Sequence, residues 1–286
     1  MNIANLAPAT VGQALASLQR KGLDRLDAQL LLLHVLDKPA SQRGWLLAHD
    51  NDALPPTRAA ALELLVQRRL AGEPLAYLSG HKAFFGLDLL VDARVLVPRP
   101  DTETLVNWAL ETLNGEQRVL DMGTGSGAIA LALKASQATL DVHATDVSPG
   151  ALAVARANAQ RLKLSVSFHQ GAWLAALPKI TEAFDCIVAN PPYIAERDPH
   201  LTALTFEPAQ ALSSGADGLD DLRHIIAQAP RHLAAGGWLL LEHGYDQAQV
   251  VRGLLSAADL AHVQSRRDLA GIERCSGGQL NPTKKP

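Results

Sequence analysis

The chain has 286 residues, 48% of them hydrophobic, which suffices for one large α/β domain and a small accessory domain, each with its own core. Its formal net charge is −3, so no general attraction to phosphate backbones is built in, and direct nucleic-acid binding is not expected. No apolar run approaches the roughly 20 residues that span a bilayer, and the start MNIANLAPAT lacks the charged-then-apolar pattern of a secretory signal. The expectation is a cytoplasmic protein without a membrane segment. The two cysteines, Cys186 and Cys275, are too few for a disulfide framework, and neither shares a metal-ligand spacing with the ten histidines. No metal site is expected.

From Thr10 to about Gly72, apolar residues recur at helical spacing in four blocks: Val11 to Leu18, Leu26 to Leu36, Trp45 to Leu47 and Leu62 to Leu70. Gly22 and Pro39 follow the first and second blocks, and Pro55 and Pro56 stand before the fourth. Residues 1–73 therefore read as a helical domain of four or five helices. Between Pro74 and Pro100 the pattern becomes strand-like, with Ala83 to Phe85 and Leu87 to Val91 separated by Gly86. This stretch reads as a β-hairpin linker over 74–100.

Asp101 precedes the apolar positions Leu105, Val106, Ala109 and Leu110 and is expected to cap their helix. Strands are then predicted at Arg118 to Met122, Leu140 to Thr145, Leu164 to His169, Phe184 to Ala189 and Trp238 to Glu242. Helices are predicted near Ala128 to Ala135, Pro149 to Leu162, Leu219 to Leu233 and Gln247 to Ala257. Such alternation implies a mostly parallel sheet covered on both faces. Ala261 to Ser265 and Gly271 to Arg274 would close it as an edge pair, making seven strands over 101–286, and the tail from Asn281 to Pro286 is expected to fray.

Two strings carry chemistry. After the buried strand ending Val119, Leu120, Asp121, the run Gly123, Thr124, Gly125, Ser126, Gly127 turns directly into a helix opening at Ala128. Glycines let the backbone take positive φ and approach a ligand closely. Gly123, Gly125 and Ala128 also satisfy the dinucleotide fingerprint, so the loop alone leaves a nicotinamide cofactor and S-adenosyl-L-methionine both open. Asp146 ends the next strand, where its carboxylate could accept from both ribose hydroxyls of an adenosine. It could instead cap the helix opening at Pro149, a role that Ser148 fits as well.

The second string is Asn190, Pro191, Pro192, Tyr193, at the carboxyl end of a strand, where open α/β sheets bind ligands. An amide or exocyclic amine has a delocalised lone pair, so methyl transfer to it needs acceptors that grip both N–H groups and aim the nitrogen. The Asn190 side-chain oxygen can take one hydrogen and the Pro191 carbonyl the other, with the prolines fixing φ and Tyr193 packing on the planar group. Alignment within about 3–3.5 Å of the electrophile matters more than a general base.

With these strings in order, the chain resembles the bacterial protein-(glutamine-N5) methyltransferases that modify peptide chain release factors, over nearly its whole length. The resemblance includes VLVPRPDTE (Val95 to Glu103), DMGTGSGAIALAL (Asp121 to Leu133), TDVSPGAL (Thr145 to Leu152) and NPPYIAERDPHL (Asn190 to Leu201), with FEPAQAL, GADGLDDLRHII and LLLEHG downstream. It implies a Rossmann-like class I methyltransferase domain over 101–286 and a helical domain for substrate recognition. It further implies that S-adenosyl-L-methionine contacts Gly123 to Gly127, Asp146, Trp173 and Asn190, and that Asn190 to Tyr193 hold the glutamine of the Gly-Gly-Gln loop of class 1 release factors. A monomer is expected.

The chain departs from the resembled pattern at Ala172, where relatives often carry an acidic residue just before the aromatic one that flanks adenine. Trp173 could otherwise be a core residue, and Arg99 and Glu103 could be linker supports. Gly277, Gly278 and Gln279 repeat the substrate tripeptide, by coincidence or as a pseudosubstrate. The rival readings are a nucleic-acid adenine methyltransferase, a ribosomal-protein glutamine methyltransferase, a nicotinamide-dependent oxidoreductase and a non-catalytic release-factor binder.

Overall fold

The computed structural model describes residues 10–178 and 182–283. The chain's first nine residues, which bear on the secretory-signal reading, and the last three of the expected frayed tail lie outside them. The chain divides into two compact units at Gly80/His81.

The first unit holds five helices among its described residues: α1 (Val11–Arg20), α2 (Arg25–Val35), α3 (Arg43–Ala48), α4 (Pro56–Leu70) and α5 (Leu75–Ser79). Thr10 caps α1 by accepting from the Gln13 amide at 3.2 Å, and Asp24 caps α2 through the Asp27 amide at 2.9 Å. The core consists of residues such as Leu31, Leu32, Leu33, Leu46 and Val66, all within 1% of full burial. The strand-like reading fails at α5: Leu75–Ser79 is a single helical turn after Pro74, ended by Gly80 at φ +74. A short apolar run cannot be told from a strand by periodicity alone.

The second unit opens with the antiparallel hairpin β1 (His81–Phe84) and β2 (Leu87–Leu90). It turns through Phe85 and Gly86, both at positive φ. A sheet of seven strands follows: β3 (Arg118–Met122), β4 (Asp141–Asp146), β5 (Ser167–Gln170), β6 (Phe184–Ala189), β7 (Leu233–Glu242), β8 (Leu260–Arg267) and β9 (Glu273–Leu280). They lie in the order β5-β4-β3-β6-β7-β9-β8. The first five are parallel, and β9 runs antiparallel to both β7 and β8.

Helices α6 (Glu103–Thr112), α7 (Ala128–Ser136), α8 (Pro149–Leu162), α9 (Asp220–Gln228) and α10 (Ala248–Ala257) complete the unit. Two apolar clusters flank the sheet. One gathers Trp108, Ile129, Leu131 and Val119, the other Met122, Phe184, Ile225 and Val251, so both faces are covered as a parallel sheet requires.

Four local expectations are corrected. Asp101 does not cap α6: Pro100–Thr102 form a 3-10 turn running straight into the helix, and the Asp101 carboxylate faces Arg274 at 3.8 Å. The helix expected to reach Leu233 ends at Gln228, because Pro230 lacks the N–H needed to continue it. Strand β7 begins five residues before Trp238, with its pairing to β6 shifted between Phe184 and Cys186. Finally, Gly271 lies in a turn at φ +81 and β9 continues to Leu280 in the sheet interior, leaving β8 alone as the edge.

Candidate active site

The carboxyl ends of β3, β4 and β6 converge on a cavity of about 220 Å³ in the second unit. They bring together much of what the sequence singles out: Gly123, Gly125, Asp146, Trp173, Asn190 and Pro192 all line it.

The glycine loop divides by function. Gly123 (φ +70) and Gly125 (φ +55) face the cavity; nothing lies within 4 Å of where a Gly125 side chain would begin. Thr124, Ser126 and Gly127 are not in the wall. The Thr124 hydroxyl donates to Asp121 Oδ2 at 2.6 Å, and the Ser126 carbonyl accepts from Asn158 Nδ2 at 3.0 Å. Gly127 (φ +85) is confined by Leu131 and Ala155, each within 3.3 Å of where a methyl group on it would stand. These three hold the loop's shape while two glycines form the cradle.

Asp121 anchors that shape from below. It is fully buried, its Oδ2 accepts from Thr124 and from the Ala130 amide at 3.1 Å, and Oδ1 has no hydrogen-bond partner among the described residues. Burial pushes its carboxyl up to about 7, with the charge of Asp146 adding to the rise and the two donors opposing it.

Asp146 organises the loop instead of capping α8. One oxygen accepts from the Gly125 amide at 2.9 Å and the other from the Ser148 amide at 2.8 Å. Ser148 is the cap, accepting from Ala151 at 3.1 Å. Burial raises the Asp146 carboxyl and the backbone donors pull it back.

Trp173 is half-buried at φ +49. Its Nε1 donates to Asp221 Oδ1 at 3.2 Å, while the Ser214 hydroxyl donates to Asp221 Oδ2 at 2.7 Å. The carboxylate of Asp221, in the first turn of α9, thus stands in the same wall as Ala172 and Trp173.

Asn190 sits between two cavities. It lines the large one and also a smaller one of about 70 Å³, shared with Leu96, Arg99, Tyr193, Leu204 and Leu212. Its Nδ2 donates to Thr102 Oγ1 at 3.2 Å, which leaves the side-chain oxygen as the amide's acceptor. Pro191 is buried and in neither wall. Tyr193 Oη donates to Glu242 Oε1 at 3.4 Å, and its backbone carbonyl accepts from Gln247 Nε2 at 3.0 Å. Gly218 packs so closely that a side chain there would meet the Tyr193 carbonyl at 2.3 Å.

Arg99 pairs with the buried carboxylate of Glu207, which also accepts from the Val97 amide at 3.0 Å. Glu103 accepts from the Phe85 amide at 2.9 Å and so supports the hairpin turn.

Sequence reasoning missed Thr102, Glu207, Asp221, Glu242 and Gln247. Glu242 had a usable signal, a carboxylate closing the otherwise apolar LLLE of β7. Burial, then the Asp101 charge, push its carboxyl up to about 7 against the pull of Thr102, Arg274 and Tyr193. The Tyr193 phenol is raised as well, first by burial and then by Glu242. Among the described residues no cluster of His, Cys, Asp or Glu could hold a metal ion, and no helix is long and apolar enough to cross a membrane.

Comparison with known proteins agrees with this geometry. A family model described as methyltransferase small domain matches residues 101–217, and one described as PrmC N-terminal domain matches residues 10–80. Among solved structures, a methyltransferase from Pyrococcus furiosus shares the fold with TM-score 0.54 at 21% identity, over 75% of this chain and 97% of that one. The second unit is thus a Rossmann-like methyltransferase domain. Release factor glutamine methyltransferase of Bordetella pertussis is 51% identical over 91% of this chain and 96% of its own length. That of Xylella fastidiosa strain Temecula1 is 46% identical over 95% and 98%. The chain belongs to the release factor glutamine methyltransferase family.

Proposed function

We propose that this enzyme transfers a methyl group from S-adenosyl-L-methionine to the side-chain N5 of the glutamine in the GGQ motif of class 1 peptide chain release factors, modulating translation termination. The observation that carries this reading is Asn190: its amide is anchored through Nδ2 and stands in the wall between the large cavity and the small one. A donor in one cavity and a planar amide in the other would meet across it.

The cradle fits the cofactor. Gly123 and Gly125 offer bare backbone where side chains would intrude, Trp173 offers an aromatic face, and Asp146 is an acidic group at a strand end. When bound, the cofactor supplies a methyl carbon made electrophilic by its sulfonium. Asn190 Oδ1 and the Pro191 carbonyl accept the two N–H groups of the glutamine, Pro192 holds the turn, and Tyr193 bounds the small cavity. So held, the glutamine nitrogen would turn its lone pair toward the methyl carbon, and its surplus proton would leave to water. No general base is needed, since the barrier falls mainly through alignment.

In this reading residues 1–73 recognise the protein substrate, 74–100 connect, and 101–286 carry out transfer. The enzyme works in the cytoplasm, as a monomer, without direct nucleic-acid contact; its net charge of −3 supports the last point.

The test is labelled methyl transfer to a purified release factor, followed by peptide mapping. The label is expected on the GGQ glutamine, and Asn190→Ala is expected to keep cofactor binding while losing most transfer. Label on DNA, RNA or a ribosomal protein instead of the release factor would overturn the substrate assignment.

A further inference from the structure

The Trp173 indole, the aromatic wall of the large cavity, is held at both ends. Its Nε1 donates to Asp221 Oδ1 at 3.2 Å, and the opposite edge of the ring, at Cζ3 and Cη2, packs on Gly123. The residue stands at φ +49, a left-handed backbone that costs an L-residue about 1–2 kcal/mol, so contacts made by its side chain must offset that cost.

The carboxylate that holds the indole is itself fixed. The Ser214 hydroxyl donates to Asp221 Oδ2 at 2.7 Å and accepts from the Asp221 amide at 2.8 Å. Ser214 is 3% exposed, and its own amide donates to the Ile194 carbonyl at 3.0 Å, while the Ile194 amide donates to the Leu212 carbonyl at 2.9 Å. The segment carrying Ser214 therefore runs beside the residues that leave the Asn-Pro-Pro-Tyr turn. Ser214 ties that turn, through its main chain, to the aromatic wall, through its side chain and Asp221.

A purely helical role for Asp221 falls short. A carboxylate in a first turn favours its helix wherever the side chain points, and the exposed Asp220 already stands there, facing Arg223 at 3.2 Å. Asp221 instead turns to the cavity wall and the indole. An indole has one donor and no acceptor, and its outer torsion is broad and two-fold, so the partner of that N–H decides which way the ring lies.

We propose that Asp221 is a positioning residue whose carboxylate, anchored by Ser214, locks the Trp173 indole in the orientation that receives the cofactor. This rests on the reading that the large cavity holds S-adenosyl-L-methionine, and it adds a determinant of affinity that acts through another side chain.

The experiment compares Asp221→Leu, Asp221→Asn, Trp173→Phe and the Asp221→Leu/Trp173→Phe double variant in the full chain. For each, the Kd for S-adenosyl-L-methionine is measured by titration calorimetry, and kcat on a release factor at saturating cofactor. Asp221→Leu is expected to weaken cofactor binding by a few-fold, as Trp173→Phe does, the scale of one net hydrogen bond, with kcat within about twofold of wild type. Asp221→Asn keeps an oxygen for Nε1 and gives its NH2 to the Ser214 hydroxyl, so its Kd should stay within about twofold. The double variant should bind within about twofold of the weaker single one, because both changes cut the same bond. Losses that multiply in the double variant would mean that Asp221 touches the cofactor itself or only supports the fold, and would overturn the proposal. So would an Asp221→Asn as weak as Asp221→Leu, or a fall in kcat with Kd unchanged. Should Asp221→Leu not fold, Ser214→Ala, alone and with Trp173→Phe, takes its place and is judged by the same comparison. If wild type binds the cofactor and Asp221→Leu binds as tightly, the lock fails and the cavity assignment stands; if wild type does not bind it, the cavity assignment fails and the lock with it.

Discussion

The indole of Trp173 lies against the backbone of Gly123: a methyl group at that glycine would stand 3.1 Å from Cζ3 of the ring. The aromatic wall and the glycine cradle are therefore in contact, and the depth of the cavity depends on a side chain that is absent. Gly123→Ala would have to hold φ +70 with a Cβ and push the ring aside. We expect cofactor affinity to fall about tenfold or more, given roughly 1–2 kcal/mol for an L-residue in the left-handed region plus the displaced ring. Isothermal titration calorimetry checks it; an unchanged Kd would remove Gly123 from the site.

Trp173 contributes a ring face and an N–H, and the two can be separated. The N–H is already committed to Asp221, so Trp173→Phe keeps an apolar face and loses only that tie. It should weaken cofactor binding by a few-fold, the scale of one net hydrogen bond. Trp173→Ala removes the face too and should cost tenfold or more on the scale of about 1–3 kcal/mol for aromatic–base stacking. Titration of both variants decides this, and equal losses would mean that the indole N–H carries the contact.

How much of this is legible in the sequence varies with the range of the interaction. Strands β3 and β6 match their predicted bounds because each is a short, largely apolar stretch closed by a turn signal, Gly123 after the one and Asn190-Pro191 after the other. The helix after the glycine loop and the one opening at Pro149 are equally clear. Helix α5 is not, since a five-residue turn with four apolar positions is too short to show a period, and the Asp101 cap fails because Pro100–Thr102 form a 3-10 turn that puts Asp101 within the helical run instead of ahead of it. Within Gly123 to Gly127, spacing weights all five residues alike; only packing shows that Thr124 and Ser126 turn inward. Thr102 and Glu242 cannot be found at all from local pattern. Their partners are Asn190, 88 residues from Thr102, and Tyr193, 49 from Glu242.

Asp121 should leave a signature in the pH dependence of stability. Its carboxyl titrates near 3.8 when unfolded and is pushed up to about 7 in the fold, mainly by burial. Between those values the folded state binds the extra proton. The contribution to stability is therefore complete at low pH and is lost as pH rises through about 7. Asp121→Asn has no such proton, so wild type should lose stability relative to it by up to about 1.4 kcal/mol per pH unit, flattening above 7. Glu242 titrates in both proteins and cancels from the difference. Urea unfolding of both at several pH values between 5 and 8 measures it; a pH-independent gap would show that Asp121 is ionised throughout.

The tripeptide Gly277-Gly278-Gln279 is a structural strand and not a pseudosubstrate. It sits in β9, hydrogen-bonded to β7 on one side and β8 on the other. A side chain at Gly277 would meet Leu240 Cδ2 at 2.5 Å and the Leu239 carbonyl at 2.8 Å, and Gln279 Nε2 donates to the Gly236 carbonyl at 2.8 Å. Glycine is required there because the β7 neighbours leave no room, and the glutamine amide is occupied within the sheet. Gly277→Ala should therefore destabilise the fold by about 1–3 kcal/mol, the usual cost of overpacking a tight core. Gln279→Ala should leave methyl transfer to a release factor within about twofold of wild type, since its side chain is tied to Gly236 and lines neither cavity of the site. Intact-mass measurement of the wild-type enzyme incubated with cofactor alone should show no added methyl group, whereas a gain of one methyl mapped to Gln279 would require β9 to leave the sheet and would contradict this packing.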